Sequence, residues 1–150
     1  MKKWTFALLL LLGTSTSCIA DNERPIDVSQ LPQPAQQLLT KHFGKQNVML
    51  VVKETEGFSK GYDVVFDSGD KIEFSRTGEW EEIECNMSEV PTAVIPATIR
   101  QFLSTKQKGA KVMKISRDRK GTELELNNGW EYEFDKNNKL VSAEKNLPND

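Results

Sequence analysis

Residues 61–80 read GYDVVFDSGDKIEFSRTGEW, and residues 121–140 read GTELELNNGWEYEFDKNNKL. Both stretches alternate apolar and polar residues with the period of two that a half-buried strand imposes. In the first, Tyr62, Val64 and Phe66 precede the turn Asp67-Ser68-Gly69-Asp70, and Ile72 and Phe74 follow it. In the second, Leu124 and Leu126 precede Asn127-Asn128-Gly129, and Trp130, Tyr132 and Phe134 follow it. A Ser-Gly or Asn-Gly step between alternating runs signals a hairpin, because Gly supplies the positive φ that a tight turn needs. A second turn in each stretch (Arg76-Thr77-Gly78; Lys136-Asn137-Asn138) leads to a last strand, Trp80 to Cys85 or Leu140 to Glu144.

Working outward, the two stretches extend into a longer internal repeat. Upstream, Leu31-Pro32 corresponds to Ile95-Pro96, Ala35 to Ile99, Leu38 to Phe102, Leu39 to Leu103, Val48 to Val112 and Val51 to Ile115. Extra residues in the first copy, around Thr55 to Phe58, bring the two registers into line. Such recurrence in one order is the mark of a duplicated supersecondary unit. Each copy opens with a helix, carried by Ala35, Leu38, Leu39 and Phe43 or by Ile99, Phe102 and Leu103. Pro34 and Pro96 stand near the helix starts, where a missing N–H costs nothing. Val48 to Lys53 and Lys111 to Ser116 give the next strand.

The expected fold class is therefore α+β: a tandem repeat of a helix followed by a four-stranded antiparallel sheet. The units run over residues 21–86 and 87–150, either packed side by side or sharing one curved sheet. One sheet face is apolar and holds the helix; the other is polar and faces water. Residues 21–30 read as a loose lead and residues 146–150 as a frayed tail.

Residues 1–20 read as a secretory signal peptide. Lys2 and Lys3 form a positive start, and Trp4 to Gly13 is an apolar run too short to span a bilayer. Two processing routes stay open. Ala20 is the last residue removed, or Cys18 is acylated and the protein is a lipoprotein. Ser17 before Cys18 suits lipidation, whereas Ser15 stands where a Leu is usual. Export leaves Cys85 as the remaining cysteine, and its place in an alternating strand reads as a small buried hydrophobe.

Charge limits the partners. The chain has 20 basic and 22 acidic residues; without residues 1–20 the balance is −4. A weakly acidic surface excludes nucleic acid as the main partner, because phosphate binding needs a basic face. Arg117-Asp118-Arg119-Lys120 reads as a mixed-charge turn. Asn86-Met87-Ser88 matches a glycosylation acceptor that a bacterial-type export route leaves unused. No nucleophile motif, phosphate loop or metal-ligand spacing is visible, so neither a catalytic site nor a cofactor is expected. The sharpest local feature is the acidic strand face of Glu123, Glu125, Glu131, Glu133 and Asp135. With Trp80, the first four are the candidate partner-binding surface; large strand-borne aromatics act as anchors when exposed.

Asp21 to Leu31 (DNERPIDVSQL), Gly78 to Cys85 (GEWEEIEC), Val90 to Ile99 (VPTAVIPATI), Gly109 to Ile115 (GAKVMKI) and the Gly129–Leu140 strand pair carry a resemblance. The chain resembles the PepSY-like proteins exported by Bacteroidetes, grouped with a β-lactamase-inhibitor-like fold. The resemblance covers about residues 21–145. It implies tandem helix-plus-four-strand units in a curved sheet and supplies no catalytic motif. Where an aromatic-Pro pair commonly closes the second helix of that family, this chain has Gln107-Lys108. The functional expectation is an exported, non-catalytic module that binds an envelope protein, an inhibitor of an envelope hydrolase being one version. The alternative is a periplasmic binder of a small ligand or cation.

Overall fold

A computed structural model describes residues 23–55 and 61–146. Nine strands follow one another: β1 (Glu23–Pro25), β2 (Val48–Glu54), β3 (Gly61–Phe66), β4 (Lys71–Ser75), β5 (Trp80–Glu84), β6 (Val112–Arg117), β7 (Gly121–Leu126), β8 (Trp130–Asp135) and β9 (Leu140–Lys145). They form one sheet in chain order, and every neighbouring pair is antiparallel. Two α-helices are present among the described residues: α1 (Gln33–Phe43) between β1 and β2, and α2 (Ala97–Lys106) between β5 and β6.

One row of side chains shows how the sheet is held together. Val51, Val64, Ile72, Ile83, Ile115, Leu124 and Tyr132 stand opposite one another across β2 to β8. None is more than 4% exposed. This overturns the expected fold class. The described residues form a single nine-stranded antiparallel sheet, mostly β, and not a tandem of helix-plus-four-strand units in the α+β class. The physical reason lies at the join. Glu82, Ile83 and Glu84 of β5 pair with Ser116, Ile115 and Lys114 of β6. Separate units would leave those strand edges unpaired, and a unit of about 60 residues buries only a marginal core. Pairing β5 with β6 removes both costs.

The helices cover the apolar face of the sheet. Pro32 precedes α1, which buries Ala35, Leu39 and Phe43; Pro96 precedes α2, which buries Ile99. Phe43 stacks on Phe66 of β3 with ring centroids 5.5 Å apart. Phe102 meets Tyr132 and Phe134 of β8 edge-on at 5.2 and 5.4 Å. The departure at Gln107-Lys108 has its own solution. Gln107 caps α2, donates its side-chain amide to the Tyr132 hydroxyl and accepts from Asn128 at 3.0 Å. That ties the helix end to β8 and to the β7–β8 turn.

The expected loose lead is also corrected. Glu23, Arg24 and Pro25 pair with Glu54, Lys53 and Val52, so β1 closes the β2 edge. Pro25 lacks an N–H and suits an edge strand. The signal-peptide reading of residues 1–20, Cys18 within it, and most of the extra loop residues before Gly61 lie outside the described residues.

Candidate functional site

With the helices on one face, the opposite face of the sheet lies open, and strand alternation decides what it carries. One row across it holds Val52, Asp63, Glu73, Glu82, Ser116, Glu123, Glu133 and Ser142; the next holds Leu50, Val65, Lys71, Glu84, Lys114, Glu125, Glu131 and Glu144. These two rows contain nine carboxylates and two lysines.

Each lysine neutralises its own neighbourhood. Lys71 places its ammonium 2.7 Å from Glu73 and 3.0 Å from Asp63. Burial works against that charge, but the hydrogen bonds it donates to Glu73 and Asp63 outweigh it and push the Lys71 pKa up. Lys114 lies 3.1 Å from Glu82. Its pKa is likewise raised: burial opposes the charge, but Glu82 and the nearby Glu125 and Glu84 outweigh it. Burial pushes the Asp63 and Glu82 carboxyls up despite these partners.

On β7 and β8 the same strand positions are filled differently. Glu123 faces Glu133 as Asp63 faces Glu73, and Glu131 stands where Lys71 stands. Three carboxylates therefore converge where the first hairpin has two carboxylates and an ammonium. One oxygen from each of Glu123, Glu131 and Glu133 lies within 4.8 Å of the others. Burial, a hydrogen bond shared with Glu131, and repulsion from Glu131, Glu133 and Glu125 push Glu123 up to about 7. Beside the cluster a groove of about 610 Å³ is lined by Ser116, Asp118, Lys120, Glu123, Glu133 and Val141, among others.

Of the expected surface residues, the fold brings Glu123, Glu131 and Glu133 together. Glu125 is exposed on the same face, opposite Lys114 and Glu131. Trp80 does not join them. It is 8% exposed and part of the core cluster, and the Arg117 guanidinium covers its ring at 3.9 Å from the centroid. The bulge between β4 and β5, where Phe74 pairs with Trp80, breaks the simple alternation and turns this residue inward. Cys85 is buried, as its strand position suggests, and burial pushes its thiol pKa up. Asp70 is a residue that sequence reasoning missed. It is fully buried and accepts hydrogen bonds from Asn86, Met87, Ser88 and Gln46. Nothing local separates it from an exposed turn aspartate; its partners arrive from two other loops.

Residues 60–142 match the family model described as "Putative beta-lactamase-inhibitor-like, PepSY-like". No curated protein matches the chain. Among solved structures it is similar to a "putative calcium-regulated periplasmic protein" from Bacteroides thetaiotaomicron, at 41% identity and a TM-score of 0.80, covering 84% of this chain and 99% of that one. A "putative periplasmic protein" from Bacteroides vulgatus gives 42% identity and a TM-score of 0.80, with the same coverage. A second B. vulgatus protein, described as periplasmic and of unknown function, gives 35% identity and a TM-score of 0.76, covering 82% of this chain and 99% of that one. The match to the family model spans more than half of the sequence, and the chain belongs to the PepSY-like, β-lactamase-inhibitor-like family.

Proposed function

We propose that the protein is an exported, non-catalytic binding module of the periplasm whose acidic face takes up a divalent cation, Ca²⁺ in the first place, at Glu123, Glu131 and Glu133. The observation that carries this reading is the swap of Lys71 for Glu131 at matching strand positions, which leaves three converging carboxylates without the ammonium their counterparts have. The donor set suits the ion. Ca²⁺ takes oxygen ligands at about 2.4 Å, so ligands on opposite sides of it stand about 4.8 Å apart, and open coordination positions go to water. The periplasmic setting and the ion draw on the similar Bacteroides proteins, described as periplasmic and in one case as calcium-regulated. The non-catalytic reading draws on the buried Cys85 and on the position of His42 on α1, across the sheet from the carboxylates.

Calorimetric titration with CaCl₂ and MgCl₂ tests it. One Ca²⁺ site is expected, abolished by Glu131→Lys, which restores the arrangement of the first hairpin, and kept by Glu84→Gln. Absence of Ca²⁺ binding, or equal binding by Glu131→Lys, refutes the reading. A second reading rests on the nine carboxylates of the open face and on the family's inhibitor-like description. In it the face docks an envelope protein such as a hydrolase. Charge reversal at Glu125 and Glu133 would then abolish capture of that protein from envelope extract; unchanged capture excludes it.

A further inference from the structure

The two edges of the sheet differ. The β1 edge is three residues long and contains Pro25, which has no N–H to offer. The β9 edge is six residues long, and no strand pairs with its outer side among the described residues. Asn146 donates its N–H inward to Gly129 at 2.8 Å. Because backbone groups alternate along a strand, the N–H and C=O groups of Lys145 and Ala143 point outward. Leu140 and Val141 beside them are 46% and 66% exposed.

The same sheet shows what such an edge accepts. β5 stands to β4 as β9 stands to β8. Glu82, Ile83 and Glu84 face Glu73, Ile72 and Lys71, as Ser142, Ala143 and Glu144 face Glu133, Tyr132 and Glu131. Both pairs carry a bulge at the same place, before Phe74 or Phe134. Yet β5 is not an edge: β6 lies along it, with Lys114 opposite Glu84, Ile115 opposite Ile83 and Ser116 opposite Glu82. Cys85 donates its N–H outward to Met113 at 2.7 Å, the bond that the Lys145 N–H of β9 is oriented to make. A bulge commonly protects an edge strand from pairing. Here it does not, since β6 pairs with β5 beyond an equivalent bulge.

We propose that the outer edge of β9 accepts an extended strand from another protein, with a basic residue opposite Glu144, an apolar residue opposite Ala143 and a small polar residue opposite Ser142. The affinity comes from main-chain hydrogen bonds to Ala143 and Lys145, and the side-chain pattern sets the register. A second copy of this chain is the poorer occupant. Pairing β9 with β9 would merge two acidic faces and bring no lysine onto that face, where Lys114 sits between β5 and β7.

The probe is the chain's own β6 sequence, KVMKISRD (residues 111–118), acetylated and amidated, added to isotope-labelled protein and followed by NMR. The expected result is amide shifts and slowed hydrogen exchange at Ala143 and Lys145. A peptide with Glu in place of the Lys that corresponds to Lys114 should bind about tenfold more weakly, since a like charge opposite Glu144 replaces an opposite one. Ala143→Pro removes an outward N–H, a change tolerated on an edge, and should abolish binding. Should that variant fail to fold, the shift map and exchange rates of the unaltered protein decide. Shifts confined to another surface, no binding at millimolar peptide, or a dimer formed through β9 in light scattering each overturn the proposal.

Discussion

Asp70 shows how much one side chain can organise. Its Oδ1 accepts the Asn86 and Met87 N–H groups at 2.7 and 3.3 Å, and its Oδ2 accepts Ser88 Oγ at 2.7 Å and Gln46 Nε2 at 3.0 Å. It thereby joins the α1–β2 loop, the β3–β4 turn and the segment leaving β5. Burial opposes its charge, but the hydrogen bonds from Ser88, Met87, Asn86 and Gln46 hold the carboxyl below its usual value of 3.8. Asp70→Ala should cost about 2 kcal/mol in urea unfolding, because a buried carboxylate that ties three segments together is lost and its partly buried donors lose their acceptor. Its stabilisation is present above pH 3.8 and is lost as pH falls through the lowered folded value. Glu123 has the opposite sign. Its folded pKa is raised from 4.5 to about 7, so between those values the folded state binds more protons than the unfolded one. Stability should fall as pH rises through that window. Melting temperatures across it should therefore decline, decline less in Glu123→Gln, and recover when Ca²⁺ is added at pH 8.

At the scale of elements, the hairpins follow from the alternating runs and turn glycines, and the open ends of the β3–β4 and β7–β8 pairs carry a subtler requirement. A Cβ added to Gly121 would lie 1.8 Å from the Phe134 carbonyl oxygen, and one added to Gly61 would lie 2.1 Å from that of Phe74. Each glycine sits opposite the last residue of the neighbouring strand, Ser75 of β4 or Asp135 of β8. Gly121→Ala should therefore destabilise the protein by about 1–3 kcal/mol, the usual cost of forcing atoms into a packed site. Thermal unfolding measures this; an unchanged midpoint would mean that the β7–β8 pair opens at this end without cost. The turn glycines Gly69 and Gly129 have positive φ values of 84° and 82°, as the Ser-Gly and Asn-Gly steps imply.

For the whole molecule, the Ile83–Ile115 contact in the row of buried side chains joins β5 to β6. Scanning calorimetry should accordingly give one cooperative transition. Ile115→Ala should lower its midpoint as a whole, at a cost of about 2–5 kcal/mol for a fully buried isoleucine. Two resolved transitions, or loss of only residues 87–146 in the variant, would contradict a single cooperative sheet. Function at this scale depends on the two faces. The helices occupy one, which leaves the carboxylates of the other to whatever binds.

The sequence by itself determined the strands, their turns and the apolar side of each, because alternation and turn chemistry are local. Tyr62, Val64, Ile72, Leu124 and Tyr132 are buried where that alternation puts them. It also placed Glu123, Glu131 and Glu133 on one polar face, since residues two apart on a strand share a side. Only the tertiary structure decided the rest. Pairing of β5 with β6 made one sheet where local pattern suggests two units, because satisfying strand edges is a long-range matter that no local pattern encodes. A bulge reversed Trp80, Gln107 replaced the family's usual helix ending with a link to Tyr132, and distant loops buried Asp70. The convergence of three carboxylates within 4.8 Å depends on cross-strand register, which the turn between β7 and β8 and the packing of Tyr132 and Phe134 under α2 fix together.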